Sequence, residues 1–105
     1  MGRYEVSLDE DLMDIMESFI DLTEKDMQDL SVAFESKNTD ATLKLAHTLK
    51  GDSGGYGFSE MSEISRSLEL AVKDNDENKM LEYWQDLQEY WQEVKHAYEE
   101  AKGRK

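Results

Sequence analysis

The 105-residue chain contains no cysteine and no proline. Without thiols there is no disulfide framework and no thiolate metal site, and the redox compartment cannot be read from the sequence. Without proline, no helix is interrupted by a missing backbone donor, and the supply of Glu, Leu, Lys and Met favours helix. No apolar run approaches the ~18 residues that span a bilayer, and no signal-peptide core follows the start. The expectation is a soluble, cytoplasmic protein with no membrane partner. Basic residues are also scarce, 12 against 25 acidic ones, for a net charge of −13. A surface of that sign repels nucleic-acid phosphates, so nucleic acid is not an expected partner. Most of the acidic residues read as a solvated exterior. The exception is a thin basic strip, Lys44, Lys50, Arg66 and Lys73. The length suits one domain, residues 1–105, with a core from about residue 8 to about residue 101.

Four amphipathic segments follow one another, and none alternates in the manner of a strand. The first runs from about Leu8 to Glu35 with Leu8, Leu12, Ile15, Met16, Phe19, Met27, Leu30 and Phe34 at helical spacings. Met13, Ile20 and Leu22 widen its apolar face, and Thr23 with Asp26 offers a weak capping box, so this helix is open to division in two. Residues 36–40 form a polar break in which Thr39 is the expected N-cap of the second helix. That helix carries Thr42, Leu45, Ala46, Leu49 and Ser53 on one face, ending in a turn marked by Gly54, Gly55 and Gly57. The third helix, about Ser59 to Lys73, has the stripe Met61, Ile64, Leu68, Ala71 and Val72, with Phe58 packed at its start. After a short acidic connection, Met80, Trp84, Leu87, Trp91, Val94, Tyr98 and Ala101 alternate spacings of four and three without a miss. The two tryptophans therefore belong to the core, and the tail from Lys102 is expected to fray. Short connections between long helices imply an all-α, antiparallel up-down four-helix bundle, expected to be monomeric.

The most informative run is Ala46-His47-Thr48-Leu49-Lys50-Gly51, followed by the glycine-rich residues 52–57. Residues three and four apart share a helical face, so His47, Lys50 and Gly51 form one patch. At 100° per residue His47 projects well away from the core stripe and is read as exposed. The patch offers a nitrogen nucleophile, a cation beside it and bare backbone where a partner can approach. Glycine in a helix interior costs about 1 kcal/mol relative to alanine, a cost explained if another backbone must come close. Those parts suit a histidine that receives and gives up a phosphoryl group. Free imidazole, with a pKa of about 6.5, is largely neutral and nucleophilic near pH 7, and phosphoryl transfer asks mainly for positioning and charge stabilisation.

His47, Leu49, Lys50, Gly51, Ser53 and Gly57 together resemble the signature of the histidine-containing phosphotransfer (HPt) domains of two-component signalling, with Asp52 standing where a small residue is usual. The resemblance implies phosphorylation of His47 on Nε2, with Lys50 pairing to the phosphoryl oxygens, Gly51 leaving room for a docking receiver domain, and Gly57 forming the turn that sets the third helix against the second. In similar domains a Glu or Gln twenty-two residues after the histidine bonds its other ring nitrogen; that position is Glu69 here. Lys73, four residues on, would add positive charge near the phosphate. Glu69 and Lys73 read equally well as a plain surface helix pair, and Gly57 as a plain turn glycine. The expected docking surface is Leu43, His47, Lys50, Gly51 and Gly54, extended onto the third helix around Arg66; Leu43, on the His47 side, would supply its apolar contact.

The implied function is a phosphorelay intermediate, a carrier without kinase activity of its own, passing phosphate from one receiver-domain aspartate to another. The alternative is the phosphoacceptor domain of a chemotaxis-type histidine kinase, whose motif also tends to end like Gly55-Tyr56-Gly57-Phe58. No cofactor of its own is expected; Mg²⁺ would sit on the partner receiver. Other motifs fail on inspection. Glu93 and His96 give one copy of a di-iron spacing that needs two, so His96 is read as a surface residue. Asp74, Asp76 and Asn78 open like a calcium loop, but Lys79 and Gln85 occupy the positions that need Gly and Glu.

Overall fold

The computed structural model describes residues 13–103. They form four helices: α1 (Met13–Glu35), α2 (Thr39–Gly55), α3 (Ser59–Lys73) and α4 (Glu77–Gly103), with no strand among the described residues. Each helix packs on the next and α4 returns to α1, which closes an up-down four-helix bundle. At 1.5 Å per residue α1 and α4 are the long members and α2 and α3 the short ones.

The core is built from the expected stripes, with differences in α1. Met16, Phe19, Thr23, Met27, Leu30 and Ala33 are buried at spacings of three and four. Thr23 lies in the middle of that buried face, so α1 runs through it as one continuous helix and is not divided there. Ile15 and Leu22, expected in the core, are about half exposed: seven residues apart, they share one flank of α1 beside the buried stripe. Leu8 and Leu12 lie outside the described residues. In α4 the heptad positions Trp84, Leu87, Trp91, Val94, Tyr98 and Ala101 are all buried, joined by Tyr90, and Met80 is partly buried against them. Helix α4 also continues through Lys102 and Gly103, where fraying was expected. Each large side chain so buried contributes about 1.5–3 kcal/mol.

The three connections share one design. Each has three residues (36–38, 56–58 and 74–76), and the middle one has positive φ: Lys37 at 58°, Gly57 at 89° and Asn75 at 54°. In each, the third residue's N–H donates to a carbonyl five positions back: Asn38 to Ala33, Phe58 to Ser53 and Asp76 to Ala71, at 2.8–3.0 Å. The middle residue donates three back, to Phe34, Gly54 and Val72. This is the Schellman arrangement, which satisfies the last carbonyls of one helix while its third residue starts the next. The N-cap of α2 is accordingly Asn38, not Thr39: the Asn38 Oδ1 accepts from the Ala41 N–H at 3.2 Å. Asp76 does the same for α4 through the Lys79 N–H at 3.1 Å, which gives the failed calcium-loop motif a capping role. Phe58 makes no side-chain cap; it is buried and stacks on Phe19 with ring centroids 5.0 Å apart. Of the three turn glycines only Gly57 takes the left-handed conformation; Gly54 and Gly55 remain helical.

Specific contacts tie the helices in pairs, α2 to α3 and α1 to α4. Helix α2 approaches α3 closely where Gly54 faces Ser62: a Cβ on Gly54 would stand 3.3 Å from the Ser62 Oγ. That same Oγ donates to the Lys50 carbonyl at 2.8 Å, a direct link between the two helices. On the far side, Glu24 of α1 accepts from the Trp91 indole at 3.1 Å and from Lys95 at 3.0 Å. Burial raises the Glu24 carboxyl, but those two hydrogen bonds and the Lys95 charge prevail and hold it below the usual range.

Candidate functional site

The α2 core face, Thr42, Ala46, Leu49 and Ser53, is buried, which turns His47 outward with 66% of its side chain exposed. On α3 the buried stripe takes in two polar residues beyond the apolar set, Ser65 and Glu69. Glu69 is only 6% exposed, and it sits where α3 faces His47 and Lys50.

Both carboxylate oxygens of Glu69 are engaged. Oε2 lies 2.9 Å from the His47 Nδ1, and Oε1 accepts from the Lys50 ammonium at 2.9 Å. The Lys73 ammonium stands further off, 3.8 Å from Oε2. The Lys50 hydrogen bond is the largest influence on Glu69. It outweighs burial and, with the His47 hydrogen bond and the charges of Lys50 and Lys73, holds the carboxyl below the usual range. An ionised carboxylate has no proton to give. The shared proton therefore belongs to Nδ1, the neutral ring carries its lone pair on Nε2, and no described residue hydrogen-bonds Nε2. The arrangement is a nucleophilic nitrogen at the surface of a helix, oriented from behind by a buried anion that is itself held by a lysine.

The residues read from the sequence divide into three groups. His47, Lys50, Glu69 and Lys73 are brought together. Gly51 is exposed one turn from His47, and an added Cβ there would meet nothing within 4 Å; Arg66 is exposed three residues before Glu69. The third group is Gly57, which forms the α2–α3 turn as expected, together with Leu43 and Gly54. Leu43 is partly buried and packs against the core, so it is not a free surface leucine. Gly54 is exposed, as a docking position requires, and it also faces Ser62 where α2 approaches α3. The attachment of Lys50 to Glu69 was not foreseen; a buried carboxylate between two cations is visible only once α2 and α3 are paired. Leu70, exposed beside Glu69 and Lys73, is an apolar surface residue that the stripe analysis passed over.

Elsewhere, His96 is on the surface, 3.3 Å from the Glu100 carboxylate. Among the described residues no group of three or more His, Cys, Asp or Glu side chains is arranged to hold a metal ion, and no helix is long and apolar enough to cross a membrane.

A four-helix bundle with an exposed, carboxylate-held histidine on its second helix defines a class of phosphohistidine carriers. The Hpt domain model matches residues 14–103, and the chain belongs to that family. Hpt domains act in histidine phosphotransfer in two-component signalling, as carriers rather than kinases. Comparison with curated proteins and with solved structures gives no match.

Proposed function

We propose that this chain is a phosphorelay intermediate in which His47 accepts a phosphoryl group from the aspartyl phosphate of one receiver domain and passes it to the aspartate of another. The observation that carries this reading is the 2.9 Å pairing of Nδ1 with a buried, ionised Glu69, which leaves the lone pair on an exposed Nε2. That lone pair attacks phosphorus. The Nε2–P bond forms as the P–O bond to the receiver's carboxylate breaks, and the electron pair leaves with the carboxylate. Nδ1 keeps its proton, so the phosphorylated ring is cationic, and Glu69 stands beside that new charge. The same cationic ring is a good leaving group when the next aspartate attacks, so one geometry serves both directions. The partner receiver would supply the attacking aspartate and its Mg²⁺.

The test is incubation with a panel of separately phosphorylated receivers. The expected result is loss of phosphate from the cognate receiver and its appearance on His47 as an acid-labile, base-stable adduct. Transfer to His47→Gln, or label on His96, would overturn the reading. Loading of His47 only by an ATP-dependent histidine kinase, with no receiver active as donor, would favour instead the phosphoacceptor domain of a chemotaxis-type kinase.

A further inference from the structure

The site holds two lysines near one carboxylate, on unequal terms. Lys50 is 32% exposed, makes a 2.9 Å hydrogen bond to Oε1, and its own backbone carbonyl is fastened to Ser62. Lys73 is 55% exposed and lies 3.8 Å from Oε2, an oxygen already accepting from Nδ1. A phosphoryl group on Nε2 brings close to two negative charges into this space and needs a cation.

Drawing Lys50 away would leave one oxygen of a 6%-exposed carboxylate without its partner, and buried charges stripped of a partner are costly. Drawing Lys73 away forfeits only a long, solvent-screened contact, which is worth little. Its four-carbon stem lets the ammonium move without any change in α3, and it already stands at the oxygen that orients the imidazole.

We propose that Lys73, and not Lys50, is the cation that holds the phosphoryl group of phosphorylated His47, while Lys50 stays on Glu69 as a positioning residue. Lys73 thus changes partner between the two states of the carrier, from Glu69 Oε2 to a phosphoryl oxygen. The proposal rests on His47 being the phosphoacceptor.

The experiment loads the full chain with phosphoramidate, which needs no receiver, and records the ³¹P resonance of phosphorylated His47 at a fixed, mildly alkaline pH where the adduct is stable. A cation bonded to the phosphoryl oxygens displaces that resonance. Lys73→Gln should therefore shift it toward the position of free phosphohistidine, Lys73→Arg should restore it, and Lys50→Gln should move it less than Lys73→Gln. In the unphosphorylated protein, ¹⁵N signals of the His47 ring should show the Nδ1–H tautomer lose population in Lys50→Gln and keep it in Lys73→Gln. A ³¹P resonance that responds to Lys50→Gln and not to Lys73→Gln overturns the proposal, as does a His47 that phosphoramidate leaves unmodified. Neither result depends on any receiver, so failure of the receiver panel counts against the relay alone.

Discussion

Glu69 meets the Nδ1 of His47 at 2.9 Å from a helix twenty-two residues further along the chain, and it does so as a buried carboxylate. Because the α2–α3 turn is short and Gly57 relieves it at φ 89°, the two residues are brought level on neighbouring helices. Burial alone would push Glu69 toward the neutral acid; the Lys50 hydrogen bond reverses that.

A pH dependence follows. The folded-state pKa of Glu69 is depressed, so its contribution to stability is present above the unfolded glutamate value of about 4.3 and is lost as pH falls through the folded value. At pH 7, Glu69→Gln should cost on the order of 1 kcal/mol. Denaturation curves should show the gap between wild type and variant closing below pH ~4. A gap that stays constant down to pH 3 would mean that Glu69 is not held ionised by Lys50.

Asp26 has the opposite sign. Burial, then the charges of Asp52 and Asp29, raise its carboxyl above the usual range, and one of its oxygens is buried without a hydrogen-bond partner. The folded state therefore binds the proton more tightly, and stability falls as pH rises from the unfolded value of about 3.9 through the folded one. Asp26→Asn should raise the Tm at pH 7 by a few degrees, for about 1 kcal/mol, with the advantage fading in acid. Asp52→Ser removes part of the same repulsion, so the double variant should gain less than the sum. Strict additivity would show that the two carboxylates do not interact.

Gly51 and Gly54, both in α2, should part company. At Gly51 an added side chain meets open space, so Gly51→Gln should hold or raise the Tm, by up to about 1 kcal/mol of helix propensity. The same variant should slow transfer from every cognate receiver, by obstructing the surface beside His47. At Gly54 the new Cβ would press on a Ser62 hydroxyl already fixed to the Lys50 carbonyl, so Gly54→Ala should lose that gain. Normal transfer by folded Gly51→Gln would place the receiver elsewhere.

Lys37 occupies the left-handed position of the α1–α2 turn at φ 58°, where a side chain is strained by about 1–2 kcal/mol. Lys37→Gly should relieve it, less the greater freedom of glycine in the unfolded chain, for a net gain of up to about 1 kcal/mol. Urea denaturation would check this, and an unchanged or lowered midpoint would show that the Lys37 side chain contributes stability of its own.

Helix number, the α4 stripe and the exposure of His47 were legible in the sequence because each depends on the period of one helix. Glu69 was reached only through its spacing in similar domains, and the spacing does not say that the carboxylate is buried. What tertiary structure alone decided concerns two helices at once. Periodicity gives the width of an apolar face but not which neighbour covers it, so Ile15 and Leu22 were placed in the core although both lie on one flank of α1 that no neighbouring helix fully covers. A capping segment such as residues 36–40 holds several eligible side chains, and the fold of the turn chose Asn38 over Thr39. Gly54 read as part of a turn until α3 lay against it. Lys50 read as a free cation until the pairing of α2 with α3 put a buried carboxylate within 2.9 Å of its ammonium. Local sequence determines which residues face outward along one helix; the partner that an outward-facing charge finds is set by the packing of the next.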